Sequence, residues 1–126
     1  MTTRFLQFAL SVYAALGLSS AVAQAASPTR IGQCVGTRVK EVGTRLENTP
    51  GSGSLVTFTN GGVQVSYEQV REVDESRPGD RVSMCLVSIP KDCPPGDDRG
   101  RTYKATNKRT GQSWTLPDSE HMCGGA

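Results

Sequence analysis

The chain has 126 residues, with 14 Lys and Arg against 12 Asp and Glu, one His and four Cys. Only 36% of residues are hydrophobic and 6% aromatic, which excludes a large core; 14 Gly and 7 Pro favour a turn-rich β-protein over a helical bundle. A formal charge of +2 is too small to indicate a nucleic-acid binder.

Residues 1–25 read as a secretory signal peptide. Arg4 gives the basic start and residues 5–18 the apolar run. Ala21-Val22-Ala23 and Ala23-Gln24-Ala25 both fit a small-x-small cleavage pattern, and cleavage after Ala25 is expected, with Ala23 second. Gln7, Ser11, Ser19 and Ser20 break the run before it reaches the about 20 apolar residues of a membrane span. No Cys lies at the cleavage site, which argues against a lipid anchor. The mature product is expected in the periplasm or secreted, with no transmembrane segment. Loss of Arg4 lowers the net charge from +2 to +1.

Residues 26–33 read as a flexible leader and 34–126 as one β-domain. The domain opens on a short repeat, Val35-Gly36-Thr37-Arg38 and Val42-Gly43-Thr44-Arg45. Val35, Val39, Val42 and Leu46 have helical spacing, but two Gly and two β-branched Thr oppose a helix, and alternation predicts a strand bent near Gly43. A loop over 48–54 leads to a strand at 54–59. Asn60-Gly61-Gly62 predicts a hairpin turn, and 63–67 the return strand, with Val63, Val65 and Tyr67 on one face. Residues 68–75 suit one helical turn or an irregular connection, and 76–80 a turn.

Residues 81–90 carry Val82, Met84 and Leu86 on one face and Cys85, Val87 and Ile89 on the other. Two apolar faces predict the central, most buried strand. A loop at 91–100 follows, then a hairpin of 101–107 and 112–116 about a turn at 107–111, with Tyr103, Ala105 and Trp114 on one face. Five to six short strands indicate an all-β domain, a small antiparallel barrel or packed hairpins.

Cys34, Cys85, Cys93 and Cys123 all fall in the mature part, and an even count in an exported chain reads as two disulfides. With 81–90 extended, Cys85 lies about 17 Å before the strand end at about 3.3 Å per residue. Three further residues cannot bring Cys93 back within the about 7 Å that paired Cα atoms need. Cys34–Cys85 with Cys93–Cys123 is expected, and Cys34–Cys93 with Cys85–Cys123 is second.

That pairing leaves no thiol for zinc or nucleophilic chemistry, and the Cys spacings match no compact zinc pattern. Asp118, Ser119, Glu120 and His121 contain the residue types of a hydrolytic triad, but four neighbours in a tail lack an oxyanion hole and pocket. Asp97 and Asp98 lack the alternating ligand series of a calcium loop. No catalytic residue, metal or cofactor is assigned.

The charges are segregated. Glu41, Glu47, Glu68, Glu72, Asp74, Glu75 and Asp80 face only Arg45, Arg71 and Arg77 within residues 41–80, a net of −4. Arg99, Arg101, Lys104, Lys108 and Arg109 crowd the C-terminal hairpin. The candidate binding face is therefore Arg101, Tyr103, Lys104, Lys108, Arg109 and Trp114, for an anionic envelope component or another protein. Intramolecular pairing with the acidic half is the competing reading, and scarce aromatics favour Tyr103 and Trp114 in the core.

The segments SRPGDRVSMCLVSIP, CPPGDDRGR, ATNKRTGQSW and PDSEHMCGGA resemble a family of small exported proteobacterial proteins across nearly the whole mature chain. That resemblance implies export and no particular activity. More weakly, VTFTNGGVQVSYEQV and SRPGDRV are similar to the β-module that follows the glycine zipper of some outer-membrane surface antigens. This chain departs from those antigens in lacking both the zipper and a lipid-attachment Cys. The expected role is a non-enzymatic binding or envelope-associated protein; the alternative is a small secreted inhibitor of a hydrolase such as a lysozyme or protease, acting through residues 93–101.

Overall fold

The computed structural model describes residue 12, residues 14–17 and residues 26–125. The expected signal peptide falls almost wholly outside the described residues. Six antiparallel strands form one curled half-barrel sheet: β1 (Cys34–Thr44), β2 (Ser54–Phe58), β3 (Val63–Ser66), β4 (Arg81–Ser88), β5 (Thr102–Asn107) and β6 (Ser113–Pro117), in the order β3-β2-β1-β4-β5-β6. One short helix, α1 (Arg71–Asp74), lies between β3 and β4. No helix among the described residues is long and apolar enough to cross a membrane.

β1 organises the sheet. Its first half pairs with β4, from Cys34 opposite Cys85 to Arg38 opposite Arg81. Its second half pairs with β2, from Val39 opposite Phe58 to Thr44 opposite Ser54. The register shifts between Val39 and Glu41, so the strand breaks at Lys40, not at Gly43. A bulge there strengthens the local twist and helps the sheet curl.

The curl encloses one apolar cluster: Val39, Val56, Phe58, Val73, Val82, Met84, Leu86, Tyr103, Ala105 and Trp114. Ser54 docks the helix on β2. Its buried hydroxyl accepts the Val70 N–H and donates to the Asp74 carboxylate, both at 2.8 Å.

Three local expectations are corrected. In β3 Gln64 is buried as well as Val65, because it sits opposite Val56, which faces the core; Val63 and Tyr67 are exposed. β4 is central but not covered on both sides: Val87 is 46% exposed and Ile89 37%. Residues 26–33 are not wholly a loose leader. Pro28 is fully buried, and Gly32 and Gln33 exchange backbone hydrogen bonds with Leu86 at 2.9 and 3.0 Å.

Both disulfides have the preferred pairing, Cys34–Cys85 and Cys93–Cys123. Cys34 and Cys85 are direct cross-strand partners, so this bridge reinforces a ladder that already exists. Cys93–Cys123 instead joins the loop after β4 to the C-terminal tail. There Asp97 receives a bidentate contact from Arg99, with both N–O distances 2.9 Å, and a 3.0 Å bond from the Gly124 N–H. Those donors, Arg99 foremost, hold the Asp97 carboxyl well below the usual carboxylate range.

Candidate functional site

Alternation in the strands puts the apolar residues inside and a hydroxyl-rich, basic surface outside. On the outward side, Arg38 of β1 is the register partner of Arg81 of β4. The Lys108 N–H donates to the Arg81 carbonyl at 2.8 Å, so the row continues onto the chain leaving β5. At about 4.8 Å between strands, the three backbone positions span about 10 Å. All three residues are exposed. The Arg38 guanidinium donates to the Gly79 carbonyl at 3.0 Å.

The next rows carry Ser83 with Thr106 and Ser113, then the Cys34–Cys85 bridge with exposed Lys104 and Thr115. β4, β5 and β6 contain no Asp or Glu, and β1 contains only Glu41, beyond the bulge. Four ion pairs form among the described residues: Arg45–Glu120, Arg71–Glu75, Arg99–Asp97 and Arg109–Asp80. Arg38, Arg81, Lys104 and Lys108 belong to none of them. Like charges directly opposite on adjacent strands destabilise a sheet, so the Arg38–Arg81 pair has a local electrostatic cost that a bound anion would relieve.

The six residues singled out in the sequence divide. Lys104 and Lys108 are exposed on this outward face. Arg101 is half-buried, near the Tyr103 hydroxyl and Asp118. Tyr103 and Trp114 are only 6% and 5% exposed and belong to the core, as scarce aromatics suggested. Arg109 is exposed but committed to an intramolecular pair: its Nε donates to the buried Asp80 at 2.7 Å and a terminal nitrogen donates to the Glu75 carbonyl at 2.9 Å. Arg38 and Arg81 were missed. The signal was present, but it needed the β1–β4 register, which no local pattern supplies.

Two buried polar arrangements fix this face. Gln64 reaches across the mouth of the half-barrel, donating to the Tyr103 and Leu116 carbonyls at 2.8 and 3.0 Å and accepting the Trp114 indole N–H at 2.8 Å. It thereby joins β3 to β5 and β6, where no strand ladder does. Asp80 accepts from Arg109, from the Asn107 amide at 2.9 Å and from the Arg77 N–H at 2.8 Å. These donors, Arg109 first, hold its carboxyl at a pKa of about 2. Asn107 also donates to Ser76 at 3.0 Å. The Lys108 turn is thus anchored to the segment before β4.

No family model, curated protein or solved structure matches this chain.

A small cavity of about 210 Å³ opens beside this arrangement, lined by Ser27, Gly61, Gly62, Val63, Met84, Tyr103 and Asp118. Burial pushes the Asp118 carboxyl up, although it accepts the Gly100 N–H at 2.8 Å. In the tail, the Ser119 hydroxyl accepts the His121 backbone N–H at 3.2 Å, a turn contact and not a nucleophile–base pair. No group of three or more His, Cys, Asp or Glu among the described residues is placed to hold a metal ion.

Proposed function

We propose that this chain is an exported, non-enzymatic β-domain of the periplasm or cell exterior that binds an anionic envelope component. Two disulfides indicate a compartment outside the cytoplasm. The observation that carries the binding role is the Arg38–Arg81–Lys108 row on a face whose strands β4, β5 and β6 supply no carboxylate and whose β1 supplies only Glu41, beyond the bulge. The cations are held on paired strands or beside an anchored turn, so binding an anion does not require ordering a loop. The resemblance to small exported proteins agrees with this compartment and adds no chemistry.

The test uses oxidised protein, exported from the full-length chain, and soluble polyphosphate. Binding is expected at low salt and should weaken steeply with added salt, because exposed charges are screened over about 10 Å at 0.1 M. Arg81→Ser with Lys108→Ser should weaken it by at least about tenfold. Absence of binding at low salt overturns the proposal.

A further inference from the structure

The outward face has a second end. β4 runs from Arg81 towards Val87 and then Ile89, and the turn holding Ile31 lies beside it through the Gly32 N–H to Leu86 carbonyl bond. Ile31 is 65% exposed, so the end of β4 and the turn bonded to it carry three exposed aliphatic residues, Ile31, Val87 and Ile89. Single exposed aliphatics are ordinary, but a cluster on a small domain with a thin core is not. Arg30 precedes Ile31, Lys91 follows Ile89 after Pro90, and both are exposed. Asp92 is the one carboxylate within residues 89–92. Along the same face the Cys34–Cys85 bridge and Lys104 lead to the Arg38–Arg81–Lys108 row.

We infer that this face docks on an anionic lipid bilayer surface, with Ile31, Val87 and Ile89 entering the headgroup region and the cations contacting lipid phosphates. The inference rests on the anion-binding reading and names its partner. Charge complementarity supplies the sign, and the aliphatic corner distinguishes a bilayer from a soluble polyanion. A polyphosphate or acidic glycan has nothing to offer exposed Ile and Val, whereas interfacial binding combines buried apolar area with attraction to anionic lipid. The Cys34–Cys85 bridge lies on the face between the two ends and ties β1 to β4.

The experiment is vesicle flotation of the exported, oxidised protein. Vesicles are phosphatidylcholine alone or phosphatidylcholine with phosphatidylglycerol, and soluble polyphosphate is the parallel probe. The protein should float with anionic vesicles and not with neutral ones. Each of Arg81→Ser and Lys108→Ser should weaken binding by about fivefold. The triple change Ile31→Ser, Val87→Ser and Ile89→Ser should weaken vesicle binding by at least about tenfold and leave polyphosphate binding unchanged. These side chains are exposed, so the fold should persist, and the emission of Trp114 checks that. Polyphosphate binding without flotation, or flotation unaffected by the triple change, overturns the lipid inference and leaves anion binding intact. Failure with both probes overturns the two together.

Discussion

Gln64 is the residue on which the closing of the half-barrel turns. It is fully buried, and all its polar capacity used here goes to Tyr103, Leu116 and Trp114. Gln64→Leu should leave an indole N–H unsatisfied and remove the second bonds to two ladder carbonyls, costing about 2 kcal/mol. The readout is a lower urea midpoint together with red-shifted emission from Trp114, the only tryptophan; an unchanged midpoint rejects the clasp. Two carboxylates make opposite predictions with pH. Asp80 is held at about 2 against an ordinary 3.8, so its contribution is present above 3.8 and is lost as pH falls towards 2. Asp80→Asn should therefore lower stability at neutral pH and flatten that acid limb. Asp118 is raised above its ordinary 3.8 by burial, so its ionisation opposes folding as pH rises through that range. Asp118→Asn keeps an acceptor for the Gly100 N–H and should stabilise the protein at pH 7 but not at pH 3. Thermal melts across this range decide both signs.

The two disulfides act on different elements. Loop closure alone predicts about 4 kcal/mol for either bridge at separations of 51 and 30 residues. Their removal should still look different. Without Cys34–Cys85, β1 and β4 remain hydrogen-bonded along five register pairs. Without Cys93–Cys123, the tail loses its covalent tie, leaving smaller contacts such as Arg45–Glu120 at 2.9 Å and the Cys123 N–H to Arg99 carbonyl bond at 3.0 Å. Hydrogen exchange should show Cys93→Ser with Cys123→Ser freeing residues 117–125, and Cys34→Ser with Cys85→Ser lowering global protection with no such local release. Equal patterns would reject this division. These elements also show what local reading can reach. Alternation located the β2–β3 and β5–β6 hairpins, and the extended reach of β4 disfavoured Cys85–Cys93 and left two pairings, of which the preferred one is present. Turn chemistry at Asn60-Gly61-Gly62 was equally plain, since Gly61 takes a φ of 87° and the Asn60 side chain accepts the Gly62 N–H at 3.0 Å. Side-chain period grouped Val63, Val65 and Tyr67 on one face and gave no sign that Gln64 is buried beside Val65; the Val56–Gln64 register brings Gln64 inward, and only the distant carbonyls of β5 and β6 make an inward Gln acceptable. Likewise the charge run at 99–109 was legible, but its division between a paired Arg109 and a Lys108 in no ion pair depends on Asp80, which lies 29 residues from Arg109. The Arg38–Arg81 pair was invisible for the same reason.

At the scale of the molecule, the segregated charges become a geometry. The acidic residues Glu72, Asp74 and Glu75 lie on or beside α1, which packs against the cluster inside the curl, while Arg38, Arg81 and Lys108 stand on the outward side of the sheet. A small net charge therefore conceals an oriented charge distribution, and orientation on a charged surface depends on that distribution more than on the net value. This separates specific docking by one face from diffuse attraction of a weakly basic protein. Glu72→Gln with Glu75→Gln raises the net charge by two without touching the outward face. Arg81→Glu lowers it by two at the centre of the row. If attraction is diffuse, the two variants should shift binding to anionic vesicles by similar amounts in opposite directions. If the outward face docks, the helix variant should bind within about twofold of the parent at physiological salt, where charges more than about 8 Å from the surface are largely screened. Arg81→Glu should then lose more than about tenfold, by removing an attraction and placing a carboxylate against lipid phosphate. Circular dichroism on both variants ensures that folded proteins are compared, and equal and opposite shifts in affinity would reject oriented docking.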